Sequence, residues 1–252
     1  MIMFKTRQDY SIFEKFNFER KPIGIKFLLN RPTGIEQTDK KLPICRMFIE
    51  AQGRGPFYAS KDNFGCMETL LLGLTEPEPF FESGQIGDKE KIYQEARANR
   101  RIYQNLPKLA KNTVRYVAFS PVDELPFNPD VLVITATPPQ GEILLRALSY
   151  STGKPLSTRY TPVLVCSWIF FYPFVSGEVN YTITGLGYGM RLDKPLPEGL
   201  LLISVPHDII PMLIENLHEM DWVLPITTLS DEERGKYSTR VMEEIKKEYT
   251  DG

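Results

Sequence analysis

The segment Val131-Leu132-Val133-Ile134-Thr135 constrains the fold most. It is a near-continuous apolar run of strand length, the pattern of a strand buried on both faces. Pro138 follows and opens a helix over 140–150 that Gly153 closes. A strand of this kind needs covering layers above and below it. Four further segments read as strands: Ile23 to Leu29, Val114 to Phe119, Val179 to Ile183 and Leu200 to Val205. Helical stripes lie between them, at 8–18, at 88–106 and from Pro206 to Leu217. Val163 to Phe174 is apolar all round and predicts a buried helix. Strands and helices alternate, so the expected class is α/β or α+β. The expected form is one domain with a mixed central sheet flanked by helices. The loose recurrence before and after Gly153 suggests two similar halves.

The domain is expected to occupy 1–252, with 221–252 as a C-terminal helical extension. Ser230 and Glu233 predict a capping box for that last helix, and Tyr237, Val241 and Ile245 form its stripe. A chain of 252 residues can bury a substantial core without staples. A net charge of -2 gives no whole-chain field for nucleic acid or an anionic membrane. The longest apolar stretch, Tyr160 to Val175, is interrupted by Pro162 and Pro173 and is short for a membrane span. Met1 to Tyr10 carries Lys5, Arg7 and Asp9 and does not read as a secretory signal. Three cysteines are too few, and odd in number, for a disulfide scaffold. A cytoplasmic protein is expected.

The question for function is what those cysteines do. Cys45 opens Ile44-Cys45-Arg46-Met47-Phe48-Ile49-Glu50-Ala51, a predicted helix over 43–52. Cys66 opens Cys66-Met67-Glu68-Thr69-Leu70-Leu71-Leu72, a second predicted helix capped by Ser60 or Asn63 and ending at Gly73. Cys166 arrives a hundred residues later. No C-x-x-C is present, so spacing alone leaves two readings open. The thiols ligate a metal centre, or they are small buried side chains. His207 is a possible fourth ligand to zinc, although a capping or packing role suits it better. Gly185-Leu186-Gly187-Tyr188-Gly189 does not continue as a dinucleotide fingerprint. A tight turn that brings backbone close to a ligand or a neighbouring helix is the better use of its glycines. There is no P-loop and no G-x-S-x-G.

The ordered set Lys21-Pro22-Ile23-Gly24-Ile25-Lys26-Phe27, Cys45, Ala51, Gly53, Phe57-Tyr58, Cys66, Leu72-Gly73-Leu74, Pro129-Asp130-Val131, Ala147-Leu148-Ser149-Tyr150, Gly153, Cys166 and Gly187-Tyr188-Gly189-Met190-Arg191 resembles the DUF169 family. These are uncharacterised proteins common in anaerobic archaea and bacteria. All three cysteines fall where the family pattern resembles this chain, and some relatives place a further cysteine where this chain has Gly187. The resemblance therefore implies an iron-sulfur cluster held by Cys45, Cys66 and Cys166, with the Gly187 turn on its open side. Arg46 and Arg191 would neutralise cluster charge or hold an anionic ligand. The implied partners are a small molecule or a redox partner protein. The alternative is a metal-free module for a small anion, with Arg46 and Arg191 as anchors and Gly187 and Tyr188 at the pocket. A purely structural protein is the third class.

Overall fold

In the computed structural model, which describes residues 8–250, the segment Val131–Ala136 forms β5 with every residue buried. Met1 to Arg7, part of the segment read as no secretory signal, and Asp251 and Gly252 lie outside the described residues. The other strands are β1 (Ile23–Leu28), β2 (Glu36–Gln37), β3 (Phe57–Ser60), β4 (Tyr116–Pro121), β6 (Asn180–Ile183) and β7 (Leu201–Pro206). They form one seven-stranded sheet in the order β2-β3-β4-β1-β5-β7-β6. β2 pairs with β3 in parallel, and the remaining pairs are antiparallel, so the sheet is mixed. The chain has the expected α/β architecture.

Period-two alternation sends side chains to two separate cores. Ile23, Ile25, Phe57, Val117, Phe119, Val131 and Val133 share one face. Tyr58, Ala118, Leu132, Ile134, Ile203 and Val205 share the other. Helices cover both. They are α1 (Ile44–Arg54), α2 (Glu68–Leu71), α3 (Pro79–Glu82), α4 (Gln85–Lys89), α5 (Ala96–Asn105), α6 (Pro138–Ser149), α7 (Tyr172–Ser176), α8 (Tyr188–Asp193), α9 (Ile210–Glu219) and α10 (Asp231–Thr250). α6 and α9 pack on the second face, while α1 lies across the first. Both outer segments of the thiol pattern, Cys45 and Cys166, border the first core.

Several sequence expectations are corrected. The helix over 8–18 is a 3-10 segment, Ser11–Phe16, ended by a left-handed Asn17. The charged helix over 88–106 is two helices, α4 and α5, folded against each other. Gly84 and Gly87 permit that fold: a Cβ on Gly84 would stand 2.1 Å from the Ala96 carbonyl oxygen. The Asn99 side chain donates to the Gly84 carbonyl at 3.0 Å and locks the pair. The second cysteine helix starts later than its capping signals suggest. Ser60 and Asn63 close a 3-10 turn, Lys61–Asn63, and α2 begins only at Glu68. The Asn63 amide is committed elsewhere, donating to the Thr38 carbonyl at 2.8 Å. The buried segment 163–174 is not a plain α-helix. It contains a π-helical turn, Ser167–Phe171, before α7.

Candidate metal centre

α1 begins at Pro43, whose side chain offers no cap. Helix N-termini leave N–H groups without intrahelical partners, and a buried one must be satisfied from elsewhere. Glu68 supplies the acceptor from a different segment. Its Oε1 accepts from the Ile44 N–H at 2.6 Å, and its Oε2 accepts from the Cys66 N–H at 2.9 Å. One buried carboxylate therefore ties the residue before Cys45 to Cys66 itself. The backbone reinforces the join: Leu42 bridges Phe64, and the Gly65 N–H donates to the Leu42 carbonyl at 3.1 Å. Two cysteine segments separated by a polar bridge in sequence are held side by side.

Cys166 reaches the same place from the far side of the chain. It sits at the head of the π-helical turn, and the Ser167 N–H donates to the Leu164 carbonyl at 2.9 Å. Leu164 has φ +55, in the left-handed region that a bulky side chain avoids. π-turns and left-handed non-glycine residues are both locally unfavourable and concentrate at functional sites. Here they flank one cysteine.

The three thiols share one electrostatic neighbourhood. By accessible surface Cys45 and Cys166 are part-buried and Cys66 is exposed. Each is nevertheless ringed by enough protein that loss of hydration is the first cause of a raised pKa. Burial, then the charge of Glu68 and then Cys66, pushes the Cys45 thiol up to about 12. Burial and then Glu68 raise Cys66. Burial, Glu68, Cys45 and Cys66, in that order, raise Cys166 well above its ordinary value. Burial raises Glu68 as well, and the N–H groups it receives pull it partly back. Both of its oxygens accept, which is the pattern of an ionised carboxylate. Tyr103 of α5 also lies within reach, since Cys66 contributes to its raised pKa after burial. Among the described residues, no three His, Cys, Asp or Glu side chains are drawn together as a ready site for a single metal ion.

α8 lies next to the thiols. Gly187 packs directly on the segment that carries Cys166: a Cβ there would meet Val165 Cγ2 at 2.5 Å. The Tyr188 N–H donates to the Pro162 carbonyl at 2.7 Å, and its hydroxyl donates to Glu90 at 2.9 Å. Asp193, at the end of α8, adds to the negative field at Cys45 and Cys66. Arg46 is engaged with that residue, donating to the Asp193 carbonyl at 2.5 Å with its carboxylate 3.9 Å away. Arg46 also lines an open cavity of about 680 Å³ with Ile49, Glu50, Arg54 and Asp193. Arg191 is exposed on α8, where its charge bears on Tyr160. His207 stands at the end of β7, its Nδ1 2.8 Å from the Pro129 carbonyl oxygen. Sequence reasoning missed Glu68. Its only signal was a carboxylate two residues after a cysteine, in a run of apolar residues.

A family model, described as uncharacterised ArCR, matches residues 11–216, which include every one of these groups. The chain belongs to the DUF169 family. The DUF169 match takes in the whole sheet, the three cysteines and Glu68, and ends within α9. α10 lies beyond it. Comparison with curated proteins and with solved structures finds no match to this chain.

Proposed function

We propose that this protein is a redox or cofactor-related protein of an anaerobic-type pathway that carries an iron-sulfur cluster on Cys45, Cys66 and Cys166. One observation carries the reading: the Glu68 carboxylate joins the Cys45 and Cys66 segments by two hydrogen bonds, and Cys166 lies within electrostatic range of all three groups. Such a site is unfavourable to ionise on its own. A bound cation reverses that balance, because thiolate ligands form by releasing protons to solvent as the metal arrives. Soft thiolates favour iron-sulfur chemistry or zinc over hard oxygen-seeking ions. When bound, a cluster supplies one-electron transfer, or an iron open to a ligand where a protein thiolate is lacking.

The residues of the chain take distinct parts in this reading. The three sulfurs are the ligands. Glu68 is a positioning residue: its oxygens are occupied by the Ile44 and Cys66 N–H groups, so it orients two ligand segments and does not coordinate. Gly187 lets α8 pack against the Cys166 segment. The anion-binding alternative has less support, because the Arg46 guanidinium is engaged with Asp193.

The test is purification under anaerobic conditions, with and without reconstitution by ferrous iron and sulfide, followed by iron and acid-labile sulfide analysis. Bound iron and sulfide with broad visible absorbance are expected. Substituting alanine at Cys45, Cys66 or Cys166 should remove or alter that absorbance. A colourless protein lacking both elements after reconstitution, or colour retained in the triple alanine variant, would end the proposal.

A further inference from the structure

α10 is a 20-residue helix with no extensive packing against any sheet strand or other helix among the described residues. At about 1.5 Å per residue it is roughly 30 Å long. It is well formed locally. The Ser230 N–H and hydroxyl both donate to Glu233, at 2.9 and 2.6 Å, completing the expected capping box. Lys236 pairs with Glu232 at 2.6 Å and Arg234 with Asp231 at 3.2 Å. Exposed pairs of this kind stabilise a helix only slightly. An isolated helix of this length is marginal in water and normally depends on packing of an apolar face.

That face exists and is largely uncovered among the described residues. Tyr237, Val241, Ile245 and Tyr249 recur every fourth residue, with Met242 beside them. Met242 is 52% exposed, Ile245 41% and Tyr249 86%. Three charged residues lie on the same stripe, Arg234, Glu244 and Glu248. Arg234 precedes Val241 by two turns, and Glu248 follows it by two turns.

We infer that α10 is a self-association helix, pairing antiparallel with α10 of a second copy about a two-fold axis at Val241. The charge pattern selects this occupant and this direction. An isologous two-fold contact sets residue i against j and j against i. Antiparallel pairing places Arg234 of each copy opposite Glu248 of the other, Tyr237 opposite Ile245 and Glu244 opposite Ser238, with Val241 meeting Val241. Parallel pairing would set Arg234 against Arg234 and Glu248 against Glu248, which is repulsive. In the single chain Arg234 donates to the Leu229 carbonyl at 3.0 Å and pairs with Asp231 at 3.2 Å, both exposed contacts, so turning toward a second copy breaks no buried bond.

A contact of one helix against one helix is small for a stable complex, so a dissociation constant on the order of 10 µM is expected. Sedimentation velocity on the full chain, from about 1 to about 200 µM, should show a concentration-dependent monomer–dimer equilibrium. Arg234→Glu and Glu248→Arg should each weaken it at least tenfold. The double exchange, which restores opposite charges, should return it to near the original value. Val241→Glu should give a monomer with helicity unchanged by circular dichroism, since Glu is a better helix former than Val. Three results overturn the inference: a wild-type monomer throughout the range, a dimer indifferent to Val241→Glu, or a double exchange that fails to restore association. The first would leave the face to a different protein or a lipid surface. Loss of helicity in Val241→Glu would pass the decision to the charge exchange, which leaves the stripe intact.

Discussion

Glu68→Ala isolates the one side chain that joins the Cys45 and Cys66 segments. The wild-type carboxylate receives two backbone N–H groups, from Ile44 at 2.6 Å and from Cys66 at 2.9 Å. Removing it leaves both donors without that acceptor. A buried donor left unsatisfied costs about 1–3 kcal/mol. The full penalty falls on Ile44, which is 0% exposed. Cys66 is exposed and its N–H can recruit water, so its share is smaller. The excised side chain also leaves a gap. Against these losses stands relief of the desolvated carboxylate, whose raised pKa records its cost. The net destabilisation should be about 2–3 kcal/mol, read as a lower urea midpoint at constant slope. Glu68→Gln keeps one acceptor oxygen for Ile44 but turns an NH₂ toward the Cys66 N–H, and should lose about 1 kcal/mol. Amide hydrogen exchange at Ile44 and Cys66 supplies the local readout, with protection falling in the order wild type, Gln, Ala. A Glu68→Ala loss under about 0.5 kcal/mol, with those amides still protected, would refute the reasoning.

Three further outcomes follow from the same site. Cys66, the exposed thiol, should react first with iodoacetamide, and Glu68→Gln should speed it severalfold because removing the neighbouring negative charge lowers the thiol pKa; faster reaction at Cys166, or no acceleration, contradicts this. The Cys45 pKa is raised in the folded state from 9.0 to about 12, so its contribution to stability is intact below pH 9.0 and is lost as pH rises toward 12. Relative to Cys45→Ala, the wild type should therefore lose up to about 1.4 kcal/mol per pH unit through that window, measured by urea midpoints, and parallel curves would be the contrary result. Gly187→Ala should destabilise by about 1–3 kcal/mol through overlap with Val165, and Val165→Ala should recover most of it in the double variant. The backbone at Gly187, with φ -79, suits any residue, so failure of that rescue would show that the side-chain clash is not the cause.

Much of the fold was legible because its strands obey one-dimensional rules. Val131–Ala136 is apolar at every position because it lies between two cores, and its six-residue pairing with β7 fixes both strands at once. Pro138 opened α6 within two residues of the expected start, and a Thr137–Gln140 capping box not read from the sequence holds its N-terminus. What was not legible depended on contacts distant in sequence. β2 has two residues and exists only through its pairing with β3. The α4–α5 break depends on backbone approach at Gly84, which helical periodicity cannot register. Asn63 looks like a helix cap in sequence but serves the loop at Thr38. At the candidate site the cysteine positions were readable, and the means of gathering them was not. Glu68 acts across 24 residues to satisfy Ile44, and no local pattern announces such a bond.

Departures from local preference occur in several places, including positive φ at Asn17, Lys91, Asn112 and Lys194 and the close approach at Gly84, and four of them lie at the cysteine segments. Leu164 is the one bulky apolar residue with positive φ among the described residues. The π-turn Ser167–Phe171 starts immediately after Cys166. Glu68 is a carboxylate only 2% exposed and held by N–H donors. Gly187 leaves out a Cβ where Val165 presses in. Each is locally unfavourable or restrictive, and each touches, adjoins or acts electrostatically on a cysteine segment. Strained or restrictive features of this kind are often found at functional sites, which supports the proposal without deciding it. Glu68, Leu164, the π-turn and Gly187 all lie at the cysteine segments, and they are what makes the proposed role of the three thiols worth testing.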